Sequence, residues 1–419
     1  MRKILLATAA GFAAMVADGA TPARAQSAAE VSGQTPQPGL TLSTSGRFRF
    51  HGAIIGQDAR SDDAGNKLSN YDFNTYGRLR FDLDGVSATG LRYGGRLEAR
   101  MTTGGGGSDA DLFFRRVTGY IGTPTLGQLR FGSGNVQAVE QMTTGHIMGS
   151  IATGLWDGDG PGFFYTGSST QAVLPSSFWY SSSVVNRSTA IGYYSPQFFG
   201  FDLGLSFAPS IKGFLGDCDT GAGIQSCDRI STVASGNANQ QRNIIDAMLR
   251  YRGTFGPVGV ALSGGLRTAS TASATGTAVA HKNPTVGIIG GQVTFAGFTV
   301  GGLTYFGNAN RGFAALPKTG NNDGMFAWQL GARYTIGALT LGAAYHELKS
   351  EGSTGAAADR RDRGLGIGAS YALAPGLELY TEYLWGRVRE NGVDFDNGKA
   401  GVQDRFKSQA FLVGVGIGF

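Results

Sequence analysis

From about residue 45 to the C-terminus, large apolar residues alternate with Gly, Ala or polar residues at a period of two. That is the periodicity of a strand with one apolar face. The pattern is cleanest at the end, where Phe411, Val413, Val415, Ile417 and Phe419 alternate with Leu412, Gly414, Gly416 and Gly418. It predicts sixteen strands, eight of them near 45–55, 72–83, 90–100, 112–122, 127–133, 188–195, 200–208 and 243–252. The other eight fall near 257–267, 285–295, 298–306, 325–336, 339–347, 363–373, 376–386 and 408–419. The stretch from Phe178 to Val185 is serine-rich, and as a strand it would put the chain ends on opposite sides of a membrane, so it is read as loop.

Connections alternate strictly between short and long. Short ones such as Ala296-Gly297, Gly337-Ala338 and Ala374-Pro375 are interleaved with long polar ones near 56–71, 101–111, 134–187, 209–242, 268–284, 307–324, 348–362 and 387–407. A soluble sandwich has no reason to gather every long loop at one end, whereas a transmembrane antiparallel barrel has short periplasmic turns and long outer loops. In hydrocarbon every backbone amide needs a partner, so a spanning sheet must close. Sixteen strands enclose an aqueous lumen, and the inward positions read as polar or Gly.

Composition narrows the alternatives. Of 419 residues 69 are Gly, and the charged fraction of 16% lies below the roughly 25% of soluble domains. No apolar run reaches the roughly 20 residues of a spanning helix. Residues 1–25 read as a secretory signal: Arg2 and Lys3, an apolar stretch from Ile4 to Val16, and the A-x-A site Ala23-Arg24-Ala25. The segment 26–44 is expected to be periplasmic and 45–419 to be the barrel. The formal net charge of +5 is no nucleic-acid footprint. Export to an oxidising compartment turns the only cysteines, Cys218 and Cys227, into an expected disulfide within one loop. The four histidines carry no surrounding hydrolase motif, and the glycine runs follow strand periodicity, so no enzyme is expected.

Candidate chemistry lies on the early strands. Arg47 and Arg49 alternate with Phe48 and Phe50, Arg78 and Arg80 with Leu79 and Phe81, and Arg92, Arg96 and Arg100 with Leu91, Tyr93 and Leu97. These arginines therefore share the lumen side, on strands under about 5 Å apart. In the fourth strand the register is open between Arg115 and Arg116. Like charge at this density needs compensation. The expected source is the connection 134–187, whose tract Trp156-Asp157-Gly158-Asp159-Gly160-Pro161-Gly162-Phe163-Phe164-Tyr165 is too aromatic for a purely outward loop. Folded inward, it would set Glu140, Asp157 and Asp159 against the arginine wall and create a transverse field at a constriction. Asp157 and Asp159 are also candidate calcium ligands; no cofactor is otherwise required.

Tyr76-Gly77-Arg78-Leu79-Arg80-Phe81, Gly119-Tyr120-Ile121-Gly122 through Leu126-Gly127-Gln128-Leu129-Arg130-Phe131-Gly132, Tyr194-Ser195-Pro196-Gln197-Phe198-Phe199-Gly200-Phe201 and the terminal Gly-Ile-Gly-Phe occur in the order of a known family. From about Ser45 to Phe419 the chain resembles the Gram-negative general-diffusion porins. The resemblance implies a sixteen-stranded trimeric barrel of the outer membrane whose third outer loop folds inward, and passive diffusion of small hydrophilic solutes and ions. By position, Arg47, Arg78, Arg115 and Arg187 look like the family's wall residues, and Asp157 and Asp159 like its loop acids. The loop reads Gly-Asp-Gly-Pro-Gly-Phe where many enteric members have Pro-Glu-Phe-Gly-Gly. Expected partners are a homotrimer, outer-membrane lipid and lipopolysaccharide, and the barrel assembly machinery through the strand ending in Phe419. The alternative function is a channel selective for an anion, phosphate or sugar.

Overall fold

The computed structural model describes residues 39–59, 61, 65–102, 111–147, 188–211, 230–319, 324–352, 360–391 and 404–419. The first strands are β1 (Gly39–Gln57), β2 (Tyr71–Val86), β3 (Arg92–Thr102), β4 (Asp111–Thr123), β5 (Gly127–Ser133), β6 (Thr189–Tyr194), β7 (Phe201–Ser210) and β8 (Gln241–Phe255). They continue with β9 (Val258–Thr271), β10 (Thr285–Phe295), β11 (Phe298–Asn308), β12 (Met325–Ile336), β13 (Leu339–Ser350), β14 (Arg360–Ala374), β15 (Leu377–Glu390) and β16 (Arg405–Gly418). Each pairs antiparallel with its neighbours in chain order, and β1 pairs with β16, so the sheet closes without an edge.

Closure follows from the last residues. Phe419 exchanges two backbone hydrogen bonds of 3.0 Å with Gly46. Its ring lies where a Cβ on Gly46 would collide with it, so a side chain there would push the ring from the seam.

The alternation read from sequence holds. Phe48, Leu79, Leu97, Ile121, Leu205, Leu249, Ile289, Val300, Leu330, Ile367, Leu379 and Val413 are exposed on the outer face, as lipid contact requires. All long connections lie at one end of the barrel and all short turns at the other. The strands outrun their expected bounds mostly at the long-loop end, as with β13, which runs to Ser350, and β15, which runs to Glu390. Backbone pairing continues there past the apolar band, where charged side chains hide the alternation. β1 also starts early: Gly39 to Thr44, expected outside the barrel, pair with Val86 to Phe81.

The inner face departs from a uniformly polar lining. Ile244, Met248, Val286, Ile288, Leu303, Tyr305, Met325, Ala327 and Leu348 are buried on the inward side of β8 and β10–β13. Val136, Ala138, Val139 and Met142 from the chain after β5, with Ala309 and Phe313 from the loop after β11, join them in one apolar cluster. The inward segments need a dry seat, and this sector of the wall supplies it.

Candidate functional site: a basic wall opposite a docked loop

The inward positions of β2–β4 gather five arginines around one acid. Glu98 on β3 is fully buried. Its Oε1 lies 2.9 Å from Arg100 Nε, 3.6 Å from Arg78 Nε and 3.7 Å from Arg115 Nη1. Its Oε2 lies 3.0 Å from Arg80 Nε and 3.3 Å from Arg116 Nη1. Five guanidinium groups on three strands thus share one carboxylate, and among the described residues the cluster keeps a formal surplus of four positive charges. Tyr76, itself buried, packs among them: the guanidinium carbons of Arg47, Arg78 and Arg100 lie 5.2, 5.6 and 5.6 Å from its ring centroid, and its hydroxyl accepts a 2.9 Å bond from Arg78 Nε. Cation–π contact and charge-assisted bonds together hold these side chains against their mutual repulsion.

The register left open by the sequence is resolved by a β-bulge. Opposite Glu98 and Ala99, β4 offers Arg116 and Phe114, so Arg115 is the extra residue. A bulge re-aims a side chain, and here it lets two consecutive arginines reach one acid.

One compensating acid, Glu98, is therefore on the wall itself. Glu140 lies 3.4 Å from Arg267 on β9. The remaining expected wall residues divide as follows: Arg96 donates to Asp82 at 2.5 and 3.2 Å, Arg49 lies 3.9 Å from Glu378 on β15, and Arg92 sits half-buried at the short-turn end of β3. His51, next to Arg49 along the inward face, hydrogen-bonds Tyr380 Oη at 2.9 Å. Arg187, Asp157, Asp159, Cys218 and Cys227 lie outside the described residues, and with them the calcium and disulfide expectations and the signal segment.

The segment 134–147 runs inside the barrel. It contains a five-residue helix, α1 (Ala138–Met142), too short to persist alone. The wall completes it. Ala138 N–H donates to Ser206 Oγ at 2.9 Å and Val139 N–H to Asp246 Oδ2 at 3.0 Å, capping the helix start where Gln137 makes no side-chain cap. Asp246 in turn receives Arg267 Nε at 2.7 Å and Nη2 at 2.8 Å. Farther on, Thr144 N–H donates to Ser263 Oγ at 2.9 Å, Gly145 N–H to Gln292 Oε1 at 3.3 Å, and Gln329 Nε2 to the Gly145 carbonyl at 3.3 Å. Arg250 and Arg130 bind Gln141 through its carbonyl and side-chain oxygens at 3.1 and 2.7 Å. Glycines let the backbone approach: a Cβ at Gly290 would collide with the Thr144 carbonyl, and one at Gly331 with Ile147.

Asp246, Arg267, Tyr76 and Glu98 were not singled out as site residues from sequence. Asp246 carried one signal, an acid at an inward position between Ile244 and Met248. What the arrangement can do chemically is sort solutes: a positive sector on β1–β4 and a docked segment along β7–β12 narrow the same lumen.

The Gram-negative porin family model matches residues 7–391. No curated protein sequence matches the chain. Among solved structures, an anion-selective porin from Comamonas acidovorans is similar at a TM-score of 0.58 and 18% identity, over 91% of this chain and 100% of that one. Salmonella typhi OmpF, in complex with daunomycin, is similar at 0.56 and 13%, over 90% and 97%. OmpT of Vibrio cholerae in its trimer form is similar at 0.52 and 16%, over 91% and 99%. At these identities the structures attest the fold.

Proposed function

The chain belongs to the Gram-negative porin family, and from that premise we propose that its outer-membrane channel, which passes solutes by passive diffusion, favours anions. The observation that carries the preference is the set of five arginines sharing Glu98, a sector of the inner wall in which cations outnumber acids among the described residues. A fixed charge of one sign at a narrow point raises the local concentration of counter-ions and admits them first. Transport is downhill and uses neither catalysis nor a cofactor. We further propose that the barrel assembles as a homotrimer, as the family resemblance implies and as the Vibrio cholerae neighbour is described, and that its C-terminal strand engages the barrel assembly machinery.

The test is the reversal potential of the purified protein in a planar bilayer under a KCl gradient. Wild type should reverse on the chloride side, and Arg78→Ser/Arg116→Ser should move toward zero with folding intact. A cation-selective wild type would overturn the preference. Block of the current by one phosphate or sugar at low concentration would instead favour the selective-channel reading.

A further inference from the structure

We infer that the turn Arg311–Phe313, in the connection after β11, is a positioning element of the constriction. Its aromatic ring restrains the arginine on which α1 rests, so the outer mouth and the narrow point are held as one unit. This role rests on the channel reading above and concerns how the aperture of that channel is kept.

The turn adopts a backbone that needs support. Gly312 and Phe313 have φ of 68° and 63°. Glycine reaches this left-handed region freely, but a bulky residue there is an outlier, and such a conformation persists where its surroundings over-determine it. Here several loops do so. Arg311 N–H donates to Asn310 Oδ1 at 2.8 Å, Asn310 N–H to the Ala314 carbonyl at 2.8 Å, and Asn310 Nδ2 to the Gly352 carbonyl after β13. Gln241 Nε2, at the start of β8, donates to the Phe313 carbonyl. Arg311 Nη1 lies 3.8 Å from Asp362 on β14. Beyond the turn, Lys282 N–H donates to the Leu316 carbonyl at 2.7 Å and Lys318 N–H to the Ala280 carbonyl at 2.9 Å, which ties the turn to the connection after β9. Phe313 is thereby fixed at one point of the inner wall, fully buried.

What the ring meets there is Arg267. The guanidinium carbon lies 5.7 Å from the Phe313 ring centroid. The nitrogens of the same group serve the constriction: Nε and Nη2 donate to Asp246 at 2.7 and 2.8 Å, and Nη1 to Glu140 of α1 at 3.4 Å. Asp246 in turn caps the helix start through Val139 N–H. The bidentate fork aligns Arg267 with its carboxylate, and attraction to the aromatic ring restrains the cation from a further side. One buried guanidinium is therefore shared by two segments that enter the lumen, the stretch 134–147 and the turn after β11. Any displacement of the turn acts on the seat of α1 through this side chain.

The experiment records single channels of the purified full-length protein in a planar bilayer and counts brief closures, with folding checked by migration on a detergent gel. Phe313→Leu keeps most of the apolar volume and removes the ring; it should raise the closure frequency about threefold or more. Asn310→Ala removes the bonds to Gly352 and Arg311 at the outer mouth. Among the described residues Asn310 makes no bond to α1 or Arg267, so a rise in closures there shows transmission through the turn, and it guards against misfolding of the first variant. Phe313→Leu/Asp246→Asn should close no more often than Asp246→Asn alone, because both changes act through Arg267. Closures at the wild-type frequency in both Phe313→Leu and Asn310→Ala would overturn the positioning role, and additive effects in the double variant would overturn the route through Arg267. A wild-type protein without conductance would remove the channel reading, and a conducting protein whose variants stay quiet would remove this role alone.

Discussion

Arg115 and Arg116 follow each other on one strand, yet both guanidinium groups come within 4 Å of the same carboxylate, Glu98, at 3.7 and 3.3 Å. In a regular strand consecutive side chains point to opposite faces, and one of the two would lie in lipid. The bulge in β4 removes that cost and adds a cation to the lumen in its place. The charge density of the wall is thus a consequence of backbone irregularity as much as of composition.

Glu98→Gln tests the centre of this arrangement. Removing one partner of a buried, hydrogen-bonded ion cluster costs about 3–5 kcal/mol, so the temperature at which the folded barrel denatures on a detergent gel should fall. The surplus of positive charge rises by one, and the reversal potential should move further toward that of chloride. A variant with unchanged stability and unchanged selectivity would show that Glu98 does not hold the wall.

Deleting Arg115 should be tolerated. The bulge is one residue longer than its partner strand, so its removal restores regular pairing on both sides and subtracts one lumen cation. Deleting Thr118, which lies within the regular pairing of Val117–Thr123 with β5, shifts every following side chain of β4 to the opposite face. The first deletion should yield folded channels with weaker anion preference, and the second should yield no folded barrel. Equal outcomes would contradict the register described here.

The barrel was legible in the sequence because lipid imposes one rule on every strand, and Leu79, Leu97, Ile367 and Val413 each obey it locally. The arginine wall was legible for the same reason, since Arg78 and Arg80 alternate with Leu79 and Phe81. What balances the wall was not. Whether Glu98 meets Arg116 depends on the pairing of two strands and on a bulge that leaves no mark on the alternation. The docking of residue 139 on Asp246 joins positions 107 apart in the chain, and the same docked turn sets Glu140 beside Arg267 on β9. Loop contacts of this kind are set by tertiary packing, to which periodicity is blind.

Asp246→Asn should loosen α1 from the wall. The carboxylate receives two bonds from Arg267 and one from Val139 N–H, and a neutral amide weakens both charge-assisted bonds, each of a kind contributing about 1.5–3 kcal/mol. The expected reading is a noisier open channel with more frequent brief closures. Ser206→Ala removes only the neutral bond to Ala138 N–H and should have a smaller effect of the same sign. A quiet Asp246→Asn channel would mean that the glycine seat beneath Thr144 and Gly145 suffices to hold the segment.

Acid should act on the same segment through His146. Burial against the wall pushes its imidazole down from an ordinary 6.5 to about 3. A loop released from the wall would expose the ring and restore its ordinary affinity for protons, so between these values the released form binds a proton that the docked form refuses. Docking is therefore complete above about pH 6.5 and weakens progressively as pH falls toward 3. Current fluctuations should grow over that window in wild type. In His146→Gln, which stays neutral throughout, the part of the pH dependence due to the imidazole should vanish, leaving only what the carboxylates contribute at the acid end. Identical pH profiles for the two proteins would rule out His146 as the group that senses acid.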